Sequence, residues 1–260
     1  MMGSAEMQSD LWGQQPQDWV NLQEQTSAPL WNAMLSATEV GNGVRVLDAG
    51  CGTGGLSVLA SEMGAEISGF DATQPFIDIA KERVPGGEFR TGDLEQLPYD
   101  DNGFDVVVAA NSVQYAADPV SALAELKRVT KPGGCIAVGI WGRAENCQFR
   151  HILKAIAEAM PDPPKGGGPF ALSEPGALEA LLAKAEITAN GRGEVACPFD
   201  YADIDAAWRS TASSGPLQGA MRAAGEEAIK SAVTNAAQQF VKDDGTVHID
   251  NTMLYVAATV

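Results

Sequence analysis

Val46-Leu47-Asp48-Ala49-Gly50-Cys51-Gly52-Thr53-Gly54-Gly55 is the stretch on which the reading of this chain turns. The run from Val44 to Asp48 is short and rich in β-branched residues, and a glycine cluster follows it. That pattern predicts a buried strand delivering its carboxyl end into a tight turn. Glycine suits such a turn because the backbone bends sharply there and a ligand can approach where no Cβ intervenes. Leu56 to Met63 then has a helical pattern, and a helix N-terminus offers unpaired N–H groups and the positive end of a dipole. Gly50-x-Gly52-x-x-Gly55 also satisfies the dinucleotide fingerprint, which alone says little beyond strand, turn and helix.

Working outward, the same alternation repeats. Glu66 to Asp71 and Phe104 to Ala110 read as strands, Gly87 to Thr91 as a weak one, and Cys135 to Trp141 as a continuous apolar one. Between them Phe76 to Arg83 and Val120 to Val129 read as helices; in the second, Leu123, Leu126 and Val129 share helical spacing before Lys131-Pro132-Gly133-Gly134. Strands alternating with helices at this spacing imply βαβ crossovers, hence a doubly wound, mostly parallel α/β sheet.

Other stretches fall outside that rhythm. Residues 10–40 are helical in pattern, with Pro29 suited to a first turn and tryptophans at Trp12, Trp19 and Trp31. Pro161 to Pro169 (PDPPKGGGP) reads as a linker or rim, and Ser173 as the cap of a helix carrying Leu178, Leu181, Leu182 and Ala185. A helical insertion over 203–240 separates a strand near Val195 to Phe199 from a last one, Met253 to Val260. Its faces are amphipathic, Ile204, Ala207, Trp208 and Thr211 on one and Ile229, Val233, Ala236 and Phe240 on another. They predict a lid over the carboxyl edge of the sheet, or padding beneath it.

Composition narrows the classes. The chain has 260 residues, with 17 Lys+Arg against 34 Asp+Glu for a formal net charge of −17. So acidic a surface disfavours nucleic acid and anionic lipid as partners, and no run is long enough to form a membrane span. The N-terminus has no apolar core with a basic leader, so no secretory signal is expected. Cys51, Cys135, Cys147 and Cys197 form no CxxC pair, and with only His151 and His248 beside them no metal site is expected. A reducing cytoplasm and a monomer or homodimer are the expected setting.

The acid before the first glycine gives the pattern its chemistry. Asp48-x-Gly50-x-Gly52-x-Gly54 resembles the first motif of the class I S-adenosylmethionine-dependent methyltransferases. Gly69-Phe70-Asp71, Thr91-Gly92-Asp93-Leu94 with Leu97-Pro98, Phe104 to Val108, and Leu126 to Val129 with Lys131 to Gly134 follow in that family's order. The resemblance covers roughly residues 44–141 and is greatest to the small-molecule branch that includes ubiquinone- and menaquinone-biosynthesis enzymes. It implies a seven-stranded Rossmann-like sheet forming a single methyltransferase domain over 1–260. A cofactor-binding core at 44–141 would carry helical caps at 10–40 and in the C-terminal half.

S-adenosylmethionine is the implied cofactor, with S-adenosylhomocysteine as product and a small molecule as acceptor. Asp71 would accept both ribose hydroxyls and Asp93 would hold the adenine. Further cofactor contacts are implied for Trp19, Asp48, Gly50, Cys51, Gly52, Ala72, Phe76, Leu94, Asn111 and Ser112. Asn111, Ser112, Val113, Gln114 and Tyr115 would border the sulfonium, and Tyr115 and His151 are the candidate base or orienter. Several bland roles compete with these. Asp71 and Asp93 could merely cap a helix or turn, Asp48 could order the glycine loop, and Trp19 could be core. A domain that binds the cofactor without turnover is an alternative function. An NAD-dependent oxidoreductase is another, although no Tyr-x-x-x-Lys occurs among the four tyrosines.

Overall fold

The structure, a computed structural model, describes residues 4–163 and 168–260. The chain opens with α1 (Ala5–Trp12) and α2 (Pro16–Asp18), then a π-helical turn (Trp19–Gln23) and a 3-10 turn (Glu24–Ser27). In α3 (Ala28–Ala37) Pro29 occupies the first turn, where its missing N–H costs nothing. The alternating part follows as β1 (Arg45–Ala49), α4 (Gly55–Glu62), β2 (Glu66–Asp71), α5 (Gln74–Arg83), β3 (Glu88–Thr91), β4 (Phe104–Ala110), α6 (Pro119–Val129) and β5 (Thr130–Trp141). After it come α7 (Arg150–Ala159), α8 (Ala177–Lys184), β6 (Gly191–Ala196), β7 (Phe199–Tyr201), α9 (Ile204–Ala212), α10 (Gly215–Ala224), α11 (Glu226–Ala237), β8 (Val247–Ile249) and β9 (Thr252–Thr259).

The main sheet has seven strands in the order β3-β2-β1-β4-β5-β9-β6. Its first five strands are parallel, whereas β9 runs antiparallel to both β5 and β6. Helices on both faces explain why the central strands are apolar throughout. Along β1, Val46 joins the cluster of Leu30, Met34 and Ile77 on one face, and Leu47 joins Phe70, Val107 and Leu126 on the other. Each such buried aliphatic side chain contributes roughly 1.5–3 kcal/mol of transfer free energy. Because β1, β2 and β4 run the same way, their carboxyl ends open together on one edge.

Two expectations meet a different outcome, and a third resolves between its alternatives. The strand foreseen near Val195 to Phe199 is two strands: β6 pairs with β9 in the main sheet and β7 pairs with β8 in a separate ribbon. Pro198 stands between them, and its lack of an N–H suits a break in the ladder. Ser173 caps no helix; its hydroxyl donates to the Trp141 carbonyl at 2.8 Å, and Gly176, with φ +79°, precedes α8. Trp208 is 5% exposed, in one cluster with Ile229 and Val233, so that face of the insertion is core rather than the lining of an opening. Of the Pro161 to Pro169 rim, residues 164–167 lie outside the described residues.

The N-terminal segment and the insertion grip each other. Asp18 pairs with Arg209 of α9, and Asp10 with Arg222 of α10. The Tyr201 hydroxyl donates to Gln23 Oε1 at 3.2 Å, and Trp12 packs so close to Gly215 that a Cβ there would lie 2.5 Å from its indole. Exposed ion pairs contribute little each, so the apolar contact carries most of this junction.

Candidate cofactor and acceptor site

β1 ends at Ala49, and the chain turns through the glycine loop with positive φ at Gly50, Gly52 and Gly54. Gly50 has two reasons to be glycine. Its φ is +83°, and a Cβ on it would come 2.2 Å from Ser112 Cβ. Ser112 follows β4, and its hydroxyl donates to the Ala49 carbonyl at 2.6 Å, which ties the start of the loop to the neighbouring strand. The amides of Gly50 and Cys51 both donate to the Phe70 carbonyl, at 2.7 and 3.0 Å. A Cβ on Gly52, by contrast, would meet nothing nearer than Trp19 Nε1 at 3.7 Å, which leaves open space in front of the loop.

Three carboxylates gather around this turn. Asp71, at the end of β2, accepts from the Gly52 amide at 2.9 Å with one oxygen and from the Thr73 amide at 2.9 Å with the other. Each carboxylate oxygen has a further lone pair, so these bonds leave capacity for a ligand hydroxyl. Burial raises the Asp71 pKa, opposed by those backbone donors. Asp48 is 1% exposed and accepts from the Ser57 hydroxyl of α4 at 2.7 Å. It therefore supports the loop through the next helix. Burial pushes its pKa up to about 7, with Asp71 and Glu24 adding repulsion.

Glu24 is the residue that sequence reasoning missed. It is 2% exposed, accepts from the Gly55 amide at 3.1 Å and from the Thr53 hydroxyl, and pairs with Arg83 of α5 at 2.6 Å. Arg83 also donates to the Thr53 carbonyl at 2.9 Å. A carboxylate at the first turn of α4 satisfies an orphan amide and complements the helix dipole. The only hint in the sequence is a lone acid in Leu22-Gln23-Glu24-Gln25-Thr26, with its partners 29 and 59 residues away.

The N-terminal segment lies over this edge. The Trp19 indole stacks on Phe76 with centroids 5.9 Å apart, and Trp12 meets both Trp19 and Tyr115 edge-on at 5.1 and 5.4 Å. The Ala5 amide donates to Asp93 at 3.3 Å, and Gln8 Nε2 donates to the Tyr115 carbonyl at 3.3 Å. Asp93 also accepts from the Glu95 amide, while Leu94 packs against the cluster of Leu47 and Phe70. Between α1 and the ends of β2 and β3 an open cavity of about 430 Å³ is lined by Ala5, Glu6, Ser9, Asp10, Ala72, Thr91 and Gly92. A larger one of about 580 Å³ lies between α6 and α8, away from the loop, and its Lys127 and Arg128 are already ion-paired.

The remaining foreseen residues divide. Asn111, with φ +53°, ends β4 beside Gln114, and its amide contacts Met253 Sδ. Burial pushes the Tyr115 pKa up to about 12, so it keeps its proton at neutral pH. The Cys51 thiol is buried and its pKa lies well above the usual range, which makes it inert. His151 is exposed on α7 with its ring against Phe240, not against the glycine loop. His248 sits on β8 between Asp200 and Asp250. Among the described residues no group of three or more His, Cys, Asp or Glu is arranged to hold a metal, and no helix is long and apolar enough to cross a membrane.

Residues 47–138 match the sequence pattern of the methyltransferase domain family. A malonyl-[acyl-carrier protein] O-methyltransferase of Serratia marcescens is 40% identical over 94 residues, 36% of this chain and 37% of its own. A demethylmenaquinone methyltransferase of Renibacterium salmoninarum is 36% identical over 120 residues, 46% of this chain and 51% of its own. The chain spans about half the length, or less, of the curated relatives it matches. Among solved structures, a SAM-dependent methyltransferase from Aquifex aeolicus superposes with a TM-score of 0.58 at 18% identity, covering 94% of this chain and 98% of its own. Its likeness lies in the fold, here a seven-stranded, mostly parallel sheet with flanking helices. Residues 47–138 of this chain thus carry the sequence pattern of a methyltransferase domain on a fold shared with that enzyme.

Proposed function

We propose that this protein transfers a methyl group from S-adenosylmethionine to a small-molecule acceptor. The observation that carries the reading is the meeting of Gly52, Asp71, Asp93 and Trp19 at the open carboxyl edge of β1, β2 and β3. Ligands of open α/β sheets bind at that edge. The residues fit the cofactor. The cavity beside Ala72 and Gly92 suits a nucleoside, Gly52 leaves room for close approach, and Trp19 Nε1 is a buried donor with no partner.

The cofactor supplies an activated methyl on a cationic sulfonium; the protein supplies position and surroundings. In this reading Asp71 accepts the ribose hydroxyls, Asp93, Ala72 and Leu94 border the adenine, and Trp19 and Phe76 close over the loop. Backbone at Gly50, Cys51 and Gly52 faces the amino-acid portion, and Asn111, Ser112 and Tyr115 flank the reacting end. Asp48 and Asp71 place negative charge near a cationic ligand, and Tyr115 orients the acceptor. The core 44–141 and the caps 10–40 and 203–240 act as one unit. We place the protein in the cytoplasm because its cysteines are all free, as a reducing compartment keeps them.

Calorimetry tests the reading directly. S-adenosylmethionine and S-adenosylhomocysteine should bind and NAD should not. Asp71→Ala should weaken both about ten- to hundredfold, the worth of hydrogen bonds to a charged acceptor. Tight NAD binding with no response to either sulfur nucleoside would overturn it.

A further inference from the structure

Trp19 roofs the space before the glycine loop. Its Nε1 lies 3.7 Å from where a Gly52 Cβ would stand, is buried, and has no hydrogen-bond partner among the described residues. An N–H that water cannot reach lies where no larger molecule passes either, so a ligand coming to the front of Gly52 must first displace part of the roof. Leaving that donor unpaired also makes the closed arrangement less stable.

Most of the roof is fastened down. Phe76 is a buried residue of α5. Trp19 is held on either side, by Asp18 paired with Arg209 and by Gln23, whose Oε1 accepts from the Tyr201 and Ser210 hydroxyls. Glu24 then fixes the next turn to Arg83, and α3 buries Leu30, Trp31, Met34 and Leu35. Trp12, edge-on to Trp19 and Tyr115, is the exception, because the helix that carries it is loosely seated. No residue of α1 is buried. The Ala5 amide on Asp93 and Gln8 Nε2 on the Tyr115 carbonyl are both long, at 3.3 Å, and the pair of Asp10 with Arg222 is exposed. Trp12 Nε1 donates to Gln8 Oε1 within the same helix at 3.0 Å, so its ring can leave without losing a hydrogen bond. Gly13, Gln14 and Gln15 link α1 to Pro16, which starts α2. An element with few buried contacts, joined to an anchored one, opens by itself.

We propose that Ser4 to Gly13 is a flap that swings about Gly13–Gln15 and carries Trp12 off Trp19 and Tyr115. Cofactor and product pass to and from the glycine loop while it is open, a role that rests on the methyl-transfer reading above. A Cβ on Gly13 would lie 3.4 Å from Thr73 Cγ2, so the pivot rests against the start of α5. Opening also releases Asp93, the carboxylate that reading gives to the adenine. In the closed flap one of its oxygens accepts the Ala5 amide while the other accepts that of Glu95. The insertion keeps Trp208 buried throughout, so the moving cover of this edge is the N-terminal helix. A flap of this kind sets the rates of entry and exit and leaves the affinity nearly unchanged.

Hydrogen exchange on the ligand-free full chain reads the flap without any ligand. The bonded amides of Gln8 to Gly13 should exchange about a hundredfold faster than those of α3, at rates that low denaturant leaves unchanged, as local opening requires. Two variants loosen the flap: Trp12→Ala, and Gly215→Ala in α10, whose Cβ would stand 2.5 Å from the Trp12 indole. Each should speed exchange in α1 about tenfold, the worth of an aromatic contact, and leave α3 as protected as before. Stopped-flow tryptophan fluorescence with S-adenosylhomocysteine then reads passage. The association rate should level off with concentration at the opening rate. In Gly215→Ala association and dissociation should both quicken about tenfold, with Kd within about threefold of wild type. Exchange in α1 as slow as in α3, or association that rises linearly and is the same in both variants, would overturn the flap. A weakened Kd with unchanged association would reduce Trp12 to a contact of the bound ligand and overturn it too. If S-adenosylhomocysteine binds in no variant while α1 still opens, the cofactor reading falls and the opening of α1 stands.

Discussion

The Glu24 carboxylate accepts the Gly55 amide at 3.1 Å, so a residue of the N-terminal segment closes the first turn of the helix that follows the glycine loop. Gly55 is glycine to permit this: a Cβ there would lie 2.8 Å from Glu24 Cδ and 2.5 Å from the Trp31 ring. The segment is thereby part of the loop's own support.

Replacing Glu24 by Gln should keep an acceptor for the amide and strip the charge from Arg83. Breaking a buried pair on one side costs about 3–5 kcal/mol, and the lower end applies because Arg83 keeps 24% of its side chain in solvent. Urea denaturation should show that loss for Glu24→Gln. The double variant Glu24→Gln with Arg83→Met should be more stable than the two single losses added together, since no charge is then left unpaired. Strict additivity would mean that the two residues act independently.

Asp48 links stability to pH in an unusual direction. Its pKa is pushed up to about 7 in the folded chain against an ordinary 3.8, so the unfolded chain ionises first. Stability from this group is therefore highest in acid and falls as pH rises from about 4 to about 7. Asp48→Asn should raise the melting temperature of the cofactor-free protein, and the gain should grow between pH 5 and pH 8. The same change should weaken S-adenosylmethionine binding, because a negative neighbour of a cationic ligand is gone. A variant with wild-type affinity at pH 8 would restrict Asp48 to a packing role.

His248 changes stability in the same sense with pH, but through a favourable charged partner and not through burial. Its Nδ1 lies 2.6 Å from Asp200 on the paired strand, and that contact, with Asp250 at 3.1 Å, raises its pKa above the usual 6.5. The group's stabilisation is present below its unfolded pKa and disappears as pH climbs through the raised folded value. His248→Ala should lower the melting temperature at pH 5.5 and leave it unchanged by pH 8.5. A difference that persists at pH 8.5 would trace the effect to packing in the β7–β8 ribbon.

What the sequence determined by itself is the strand, turn and helix at residues 44–63, the order of elements through Trp141, and the acids that end β1 and β2. These are legible because each depends on chemistry within a few residues. Alternating apolar runs set the strands, the glycines permit the positive φ angles, and a βαβ unit closes on its own sequence. The methyltransferase resemblance follows from that local order.

Only the tertiary structure decided which distant groups complete the site. Ser112 reaches Ala49 across 63 positions, Glu24 reaches Arg83 across 59, and Trp19 comes to rest on Phe76 in front of Gly52. Nothing in the local pattern marks these pairs, because helix packing on the sheet sets their distances. Burial is decided the same way: Trp208 on an amphipathic face becomes core, His151 on another stays exposed, and Pro198 divides one foreseen strand between two sheets. Periodicity shows that a face is apolar; what covers that face is settled only when the chain has folded against itself.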